Sequence, residues 1–223
     1  MKIALLSDVH ANLPALEAVL ADLPPVETVV CAGDVVGYNP WPSECVERVR
    51  SVASATVRGN HDRMVDTPER YAHNEMAHAG LECAAAALSE EQREWLSDRP
   101  ERAEIAGGRY LMVHSHPDPK RRGSYVYPEE FGDLRRYLDD YDGLVLGHTH
   151  IQHEATVDGR TVVNPGSVGQ PRDDDPRAAY AVLDTAAGEV TLRRTGYDID
   201  RVRERIASEG LPARTGERLT HGR

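Results

Sequence analysis

The strongest constraint on the fold is a set of short apolar runs that end in polar side chains able to bind a metal. Five runs follow this pattern, and seven side chains at their ends can donate to a divalent cation: Asp8, His10, Asp34, Asn60, His114, His148 and His150. In open α/β sheets the carboxyl ends of parallel strands meet at one edge, so residues far apart in sequence can converge there. The sequence therefore predicts a metal site at the edge of a sheet.

The first sixty residues alternate between strand-like and helix-like segments. Ile3–Leu6 is typical of a strand buried on both faces, and an amphipathic helix follows it. Asn12 is interpreted as the N-cap of this helix, although it could instead contact the site. A second apolar run, Thr28–Cys31, a helix over Ser43–Val52 and a third run complete a β-α-β-α-β pattern. This alternation predicts a parallel sheet with right-handed crossovers.

The remaining segments predict further helices and then antiparallel strands. Residues 71–97 resemble two helices, the second with a capping box from Ser89 to Gln92. The other predicted elements are a hairpin over 101–113, a helix over 128–140, a hairpin around Asp158-Gly159, a strand pair over 178–194 and a helix over 199–208. We expect a single domain over residues 1–223, with a mobile polar tail from about residue 210.

Composition excludes several classes of function. The formal net charge is −11, from 37 acidic and 26 basic residues, which disfavours broad electrostatic binding of nucleic acid. The three cysteines, Cys31, Cys45 and Cys83, form neither a disulfide framework nor a zinc-binding spacing. Asp8 interrupts the N-terminal apolar run too early for a signal peptide, and no run is long enough to span a membrane. We therefore expect a cytoplasmic protein with a small-molecule substrate.

The segment Arg58-Gly59-Asn60-His61-Asp62 combines a neutral metal ligand with a group that can transfer protons. Asn60 offers an amide oxygen, and the neighbouring His61 can donate or accept a proton near neutral pH. Seven donors suit two metal ions if one carboxylate bridges them. Asp34, which we expect at the end of a central strand, is the candidate bridge. Asp62 could orient His61, and capping a following helix is at least as plausible a role.

The motif blocks resemble those of the calcineurin-like metallophosphoesterases, in a compact prokaryotic branch of the phosphodiesterase type. They appear in order as Asp8-Val9-His10, Gly33-Asp34, Gly59-Asn60-His61-Asp62, His114 and Gly147-His148-Thr149-His150. The resemblance implies a four-layer α/β/β/α sandwich. It also implies hydrolysis of phosphate esters by in-line attack of a hydroxide that bridges two metal ions, with His61 as the general acid.

The resemblance also assigns the ligands to two metal ions. The first ion would be held by Asp8, His10, Asp34 and His150, and the second by Asp34, Asn60, His114 and His148. If the chain is extended there, Asp8 and His10 point to one side, as do His148 and His150, whereas His153 points to the other and is interpreted as structural. Carboxylate, imidazole and amide donors without a thiolate suit Mn, Fe, Co, Ni or Zn. Mn is favoured.

Two departures from the family pattern affect the expected substrate. Protein serine/threonine phosphatases of this superfamily carry a further Asp and Arg after the Gly-Asp block, whereas this chain has Val35-Val36-Gly37-Tyr38 there. A protein phosphatase is therefore disfavoured. The second departure is His116, where relatives often carry a small residue; it could be a proton donor, a substrate contact or an alternative ligand to His114. We favour His114 as the ligand because it directly follows the apolar run.

The sequence does not identify the substrate-binding residues. Arg121, Arg122, Arg172 and Arg177 could bind a phosphate, or could equally be solvated surface side chains. A small phosphodiester or nucleotide is the expected substrate. The alternatives are a phosphomonoesterase or nucleotide pyrophosphatase with the same centre, a protein phosphatase-like activity, and a metal-binding scaffold without turnover. The scaffold is disfavoured because it would not need His61.

Overall fold

The computed structural model describes residues 1–223 and contains ten strands in two sheets. The strands are β1 (Lys2–Leu6), β2 (Thr28–Cys31), β3 (Ala53–Thr56), β4 (Arg102–Ile105), β5 (Tyr110–Val113), β6 (Gly143–Val145), β7 (His153–Val157), β8 (Arg160–Asn164), β9 (Ala178–Asp184) and β10 (Glu189–Thr195). The α-helices are α1 (Leu13–Asp22), α2 (Pro42–Val52), α3 (Asn60–Met64), α4 (Glu75–Ala87), α5 (Glu90–Ser97), α6 (Ile199–Ser208) and α7 (Ala213–Leu219). Three 3₁₀ helices cover Pro68–Tyr71, Pro119–Arg121 and Pro128–Tyr137.

Each sheet has five strands and a parallel region whose carboxyl ends carry the motif blocks. The first sheet has the order β10-β9-β1-β2-β3, and β1, β2 and β3 are parallel as predicted. The second has the order β4-β5-β6-β8-β7, with β5, β6 and β8 parallel. The middle strand of the first sheet is β1, not β2. Asp34 therefore follows an interior strand, as expected, although not the middle strand of the sheet.

The sheets pack face to face, and helical layers cover their outer faces. Along β1 the side chains alternate, so Ile3 and Leu5 enter the core between the sheets while Ala4 and Leu6 face the helices. The outer face of the second sheet packs on the 3₁₀ segment through Phe131 and Leu134. The fold is thus the expected four-layer α/β/β/α sandwich, and burial on both faces explains why its inner strands are continuously apolar.

Side-chain caps begin several of the predicted helices. The Asn12 side chain accepts a hydrogen bond from the Ala15 backbone N–H, which confirms its capping role. Ser89 and Gln92 form the predicted capping box at α5, and Asp198 caps α6. None of the helices is both long enough and apolar enough to cross a membrane.

Two segments differ from the sequence predictions. Residues 128–137 form a 3₁₀ helix, in which residues three apart lie on one face, and Phe131 and Leu134 have this spacing and are both buried. The predicted mobile tail instead contains α7, in which Thr215 and Leu219 are buried. Its few apolar residues were too sparse to predict a packed helix from periodicity.

Candidate metal centre

All seven side chains predicted as ligands lie close together at the carboxyl edge of the two sheets. Asp8, His10 and His150 form one group, and Asp34, His114 and His148 form another, with the ligand atoms of each group within 4.8 Å of one another. Asn60 joins the second group, since its Oδ1 lies 3.0 Å from Nε2 of His114. All of these side chains except Asn60 are buried. The structure therefore brings the predicted donors together.

Asp34 lies between the two groups. Its Oδ2 is 3.7 Å from Nε2 of His10 in the first group and 3.3 Å from Nε2 of His114 in the second. Its Oδ1 accepts a hydrogen bond of 2.8 Å from the backbone N–H of His61. Asp34 is thus the carboxylate that neighbours both groups.

Left-handed backbone conformations direct five of the seven side chains towards the centre. The φ angles are 54° at Asp8, 47° at His10, 54° at Asp34, 70° at His148 and 61° at His150. Such conformations cost free energy in residues with a side chain and concentrate at functional sites. The sequence argument assumed an extended chain, and that assumption was wrong, although the residues still converge.

Backbone carbonyl groups orient three of the imidazole rings. Nδ1 of His10 lies 3.0 Å from the Val36 carbonyl oxygen, and Nδ1 of His150 lies 2.6 Å from that of Gln170. Nδ1 of His114 is similarly 2.7 Å from the Ala32 carbonyl oxygen. Because a carbonyl oxygen only accepts, each Nδ1 donates its hydrogen and each Nε2 faces the centre, with a free lone pair whenever the ring is neutral.

The resulting arrangement fits a cation. Nε2 of His10 and Nε2 of His150 are 3.0 Å apart, so two lone pairs face each other. Oδ1 of Asp8 is buried without a hydrogen bond and lies 3.1 Å from the same His150 nitrogen. Two lone pairs and a carboxylate only about 3 Å apart repel one another unless a positive charge lies between them. Imidazole and carboxylate groups are the usual ligands of divalent transition metals.

His148 is oriented differently from the other three imidazoles. Its Nε2 lies 3.0 Å from the Gly123 carbonyl oxygen, so Nε2 donates and Nδ1 is the nitrogen with a free lone pair. The ring of Tyr125 stacks on it, with centroids 4.4 Å apart. The loop that contains Gly123 and Tyr125 therefore fixes the orientation of this predicted ligand.

The pKa values follow from burial and from these contacts. Burial opposes ionisation of Asp34, but the neighbouring His114 and His61 lower the pKa of its carboxyl well below the usual value. Burial likewise opposes protonation of His114, yet Asp34 and Asp8 raise the pKa of its imidazole to about 10. Burial lowers the pKa of His148 to about 4 and that of His150 to about 3. At neutral pH the carboxylate of Asp34 is ionised and the imidazoles of His148 and His150 are neutral. The imidazole of His114 is protonated and carries a positive charge.

Asp62 positions two segments of the site at once. One carboxylate oxygen accepts hydrogen bonds of 2.9 Å from the backbone N–H groups of Gly59 and Asp34, and the other accepts one of 2.8 Å from that of Val35. Asp62 therefore caps α3 and also fixes the loop after β2. A Cβ at position 59 would lie 2.0 Å from Oδ1 of Asp34, so only glycine allows this approach.

His61 is buried beside the metal-ligand groups. Its ring lies 4.8 Å from that of Tyr38 and 5.0 Å from that of Tyr71, measured between centroids. Its Nδ1 has no hydrogen-bond partner. Burial lowers the pKa of His61 well below its usual value, so the imidazole is neutral at neutral pH. The ring lines the adjoining cavity, while its Nδ1 lies against Gly37.

A cavity of about 310 Å³ opens onto the centre. Its lining includes predicted site residues together with others that the sequence analysis did not identify, among them Tyr38, Tyr71, Tyr125 and Arg218. The hydroxyl of Tyr71 accepts a hydrogen bond of 2.7 Å from the Asn60 side chain. The turn Gly37-Tyr38-Asn39-Pro40 was visible in the sequence only as a loop, and no motif indicated the other three.

The other candidate histidines lie outside the metal-ligand groups. Nδ1 of His116 accepts a hydrogen bond of 3.0 Å from the Asp118 backbone N–H, and its ring packs edge-on against Tyr137. His114, not His116, lies against Asp34 and Asn60. His153 begins β7 and packs against Phe131, in agreement with a structural role.

Only one of the four candidate arginines lines the cavity. Arg172 is that residue, and its Nη2 donates to the Tyr38 hydroxyl over 3.2 Å. Arg122 instead lies near Glu101, and Arg177 pairs with Asp175 at an exposed position. Arg121 borders a small separate pocket beside His116.

Comparison with known proteins identifies the family. The family model of the calcineurin-like phosphoesterase superfamily domain matches residues 1–188, which include every predicted ligand and His61. The uncharacterized protein MJ0912 of Methanocaldococcus jannaschii is 33% identical over 99% of this chain and 98% of its own. Phosphodiesterase YfcE of Escherichia coli is 29% identical over 82% of this chain and 88% of its own.

A solved structure supports the same assignment. The crystal structure of a metallophosphoesterase from Sphaerobacter thermophilus superposes with a TM-score of 0.86 and 34% sequence identity, covering 100% of this chain and 99% of that one. The match extends through the C-terminal helices as well as the two sheets. The protein therefore belongs to the calcineurin-like phosphoesterase superfamily, whose members are metal-dependent phosphoesterases.

Proposed function

We propose that the protein is a phosphodiesterase that hydrolyses small phosphodiesters or nucleotides with two bound divalent metal ions. The observation that carries this proposal is the position of Asp34 between two groups of metal donors, with His61 facing the same cavity. One ion would be held by Asp8, His10, Asp34 and His150, and the other by Asp34, Asn60, His114 and His148. Mn is the favoured metal, and Fe, Co, Ni and Zn also suit these donors.

The residues around the cavity supply the remaining parts of the reaction. Bound divalent ions would polarise the phosphoryl oxygens and lower the pKa of a water molecule. Arg172, which has no carboxylate within ion-pairing distance, would bind a phosphoryl oxygen. His61 would protonate the oxygen that leaves phosphorus. Its pKa is low without substrate, and the negative charge of a bound phosphate acts to raise it.

The size and lining of the cavity favour a small substrate. A volume of about 310 Å³ accommodates a nucleotide-sized group, and the three tyrosine rings offer flat surfaces to a base or another planar group. The net charge of −11 disfavours a long polyanion. A phosphomonoesterase or nucleotide pyrophosphatase would use the same centre. The relative rates of hydrolysis of a monoester and a diester distinguish a phosphomonoesterase from a phosphodiesterase.

The function is tested by hydrolysis of two chromogenic substrates with added Mn²⁺ and after chelation. We expect faster hydrolysis of bis-p-nitrophenyl phosphate than of p-nitrophenyl phosphate, and loss of both activities on chelation. A preference for the monoester would identify a phosphomonoesterase. Activity towards neither substrate, in protein that binds metal, would favour a scaffold.

The variant His61→Ala tests the proton donor. We expect it to retain metal and to lose about 10²–10⁴-fold in kcat with an alkyl ester, because an alkoxide needs a proton to leave. With a p-nitrophenyl ester the loss should be smaller, because p-nitrophenolate is stable without one. His78→Ala, a surface imidazole on α4 near Glu82, is the control. Equal losses of kcat on the two substrates would show that His61 is not the proton donor.

A further inference from the structure

We infer that Arg218 of α7 forms a second anion site in the cavity, beside Arg172, and that this site binds a further phosphate group of the substrate. The inference rests on the proposed function, because it concerns the same cavity. Arg218 lies beyond residues 1–188, the part of the chain that the family model matches. It is therefore not part of the segment by which the family is recognised.

The packing of α7 brings Arg218 to the cavity. Thr215 and Leu219 are buried on one side of this helix, and Arg218 lines the cavity beside the metal-ligand groups. A Cβ at Gly216 would lie 2.9 Å from Cγ of Arg203, so α7 approaches α6 closely at that point. The helix is therefore held against the body of the protein and does not project into solvent.

The end of the chain is also tied to the segment that follows Arg172. The backbone N–H of Asp174 donates a hydrogen bond of 3.0 Å to the Gly222 carbonyl oxygen. Nε of Arg223 donates to Oδ1 of Asp174 over 2.7 Å. Arg218 is thus fixed between two anchors, one on α6 and one on the loop that carries Arg172.

Neither guanidinium has an Asp or Glu carboxylate within 4.0 Å. Arg172 contacts the Tyr38 hydroxyl and the Gln170 side-chain oxygen, and its Nε is buried without a partner. Nε of Arg218 donates to a main-chain oxygen of Arg223, the last residue of the sequence, so its two Nη groups remain for a ligand. Burial, followed by the charge of Arg172, lowers the pKa of Arg218. In the neighbouring pocket, by contrast, Arg58, Arg63 and Arg122 surround Glu101.

Two guanidinium groups that line one cavity without an Asp or Glu partner favour an anionic ligand with more charge than one diester provides. Arg172 is the nearer of the two to the predicted centre, since its charge acts on both His61 and His150. Arg218 also borders an outer cleft with Arg203, Arg214 and Arg223, so it lies towards the mouth of the cavity. Arg172 would then bind the scissile phosphoryl group, and Arg218 a second phosphate, through the forked donors of its guanidinium.

Three p-nitrophenyl esters test this inference with the Mn-loaded enzyme. The reference is the p-nitrophenyl ester of thymidine 5′-phosphate. The second is the same ester with a 3′-phosphate, and the third is the γ-p-nitrophenyl ester of thymidine 5′-triphosphate. We expect kcat/KM to be higher than for the reference with at least one of the two esters that carry additional phosphate. The ester that the enzyme prefers shows where in the substrate the second phosphate lies.

The variant Arg218→Gln should reduce that preference by about tenfold or more, as expected for the loss of one charge-assisted hydrogen bond. The matched control is Arg214→Gln, an exposed arginine on the same helix that borders only the outer cleft. Calorimetric binding of thymidine 3′,5′-bisphosphate and of thymidine 5′-monophosphate provides a second readout. The ratio of the affinity for the bisphosphate to the affinity for the monophosphate should fall in Arg218→Gln.

The inference is overturned if the native enzyme shows no preference for the additional phosphate, or if Arg218→Gln retains the full preference. An equal loss in Arg214→Gln would also overturn it, because the effect would then be general electrostatic attraction. Failure of the proposed function gives a different result. In that case no ester is hydrolysed, while the binding ratio still depends on Arg218.

Discussion

The imidazole of His114 carries a positive charge that a metal ion would replace. It lies 3.3 Å from Oδ2 of Asp34, and the two buried carboxylates Asp34 and Asp8 keep it protonated. Binding of a metal at Nε2 requires the lone pair that this proton occupies. Metal binding and protonation of His114 therefore exclude each other.

Metal binding should accordingly release protons. Because the pKa of His114 in the metal-free protein is raised to about 10, the ring is protonated at pH 8 and must lose its proton to a metal. We expect release of about one proton at pH 8 and an apparent Mn²⁺ affinity that rises with pH and levels off near pH 10. Calorimetric titrations at pH 8 in two buffers of different protonation enthalpy measure the release. Identical heats in both buffers would contradict it.

The individual donors were predictable from sequence, and the second layer of the site was not. Each of the seven donors follows a recognisable apolar run, and Asn60 and His61 lie in a compact motif. Tyr71 and Arg218, in contrast, reach the cavity only through tertiary packing. The left-handed backbone at Asp8 and His148 was also hidden, since Asp and His adopt positive φ more often than most residues but still only rarely.

At the scale of elements, the short helix α3 must hold Asn60 and His61 in place with little helical structure of its own. It has five residues, which is too short to be stable in isolation. Asp62 fixes its first turn, and Arg63 ties its last turn to Glu101, which directly precedes β4. Arg58 also contacts Glu101, over 2.8 Å. Glu101 therefore connects α3 to the second sheet.

The variant Glu101→Gln should lower the free energy of unfolding by about 1–3 kcal/mol, because it leaves two partly buried guanidinium groups, those of Arg58 and Arg63, without a carboxylate. It should also reduce kcat, since α3 carries His61. Urea unfolding of the chelated protein measures the stability change. The control is Glu104→Gln, an exposed residue of β4 whose carboxylate accepts from the Tyr141 hydroxyl, with an expected change within about 0.5 kcal/mol. Equal small effects in both variants would exclude the anchoring role.

The elements differ in how well local sequence determined them. Strands β1 and β2 are mostly apolar, and the side-chain cap of α1 between them is recognisable, so pattern and structure agree there. For the 3₁₀ segment over 128–137, apolar residues three and four apart do not distinguish a 3₁₀ from an α-helix at this length. For α7, burial depends on packing against α6, the helix before it, and on the loop near Asp174, which is distant in sequence.

At the scale of the whole molecule, the donor groups connect the two sheets. Asp8, His10 and Asp34 follow strands of the first sheet, whereas His114, His148 and His150 follow strands of the second. Below them the sheets are joined by an apolar core that includes Leu5, Tyr110 and Met112. A metal bound by both sets of donors adds a polar link at the edge where the core ends, so separating the sheets would require losing the metal.

Metal should therefore stabilise the whole fold and not only the loops of the site. With free Mn²⁺ at about 100 times its Kd, the gain is about 2.7 kcal/mol, which corresponds to a rise in Tm of about 5–10 °C for a chain of this size. Thermal unfolding with Mn²⁺ and with a chelator measures the shift. The variant His148→Asn should lose most of this rise in Tm, because the second sheet then contributes one donor fewer to the ion near Asp34. His153→Asn should retain it, since His153 packs against Phe131 outside the donor groups. A full shift in His148→Asn would mean that the metal does not bridge the sheets through this residue.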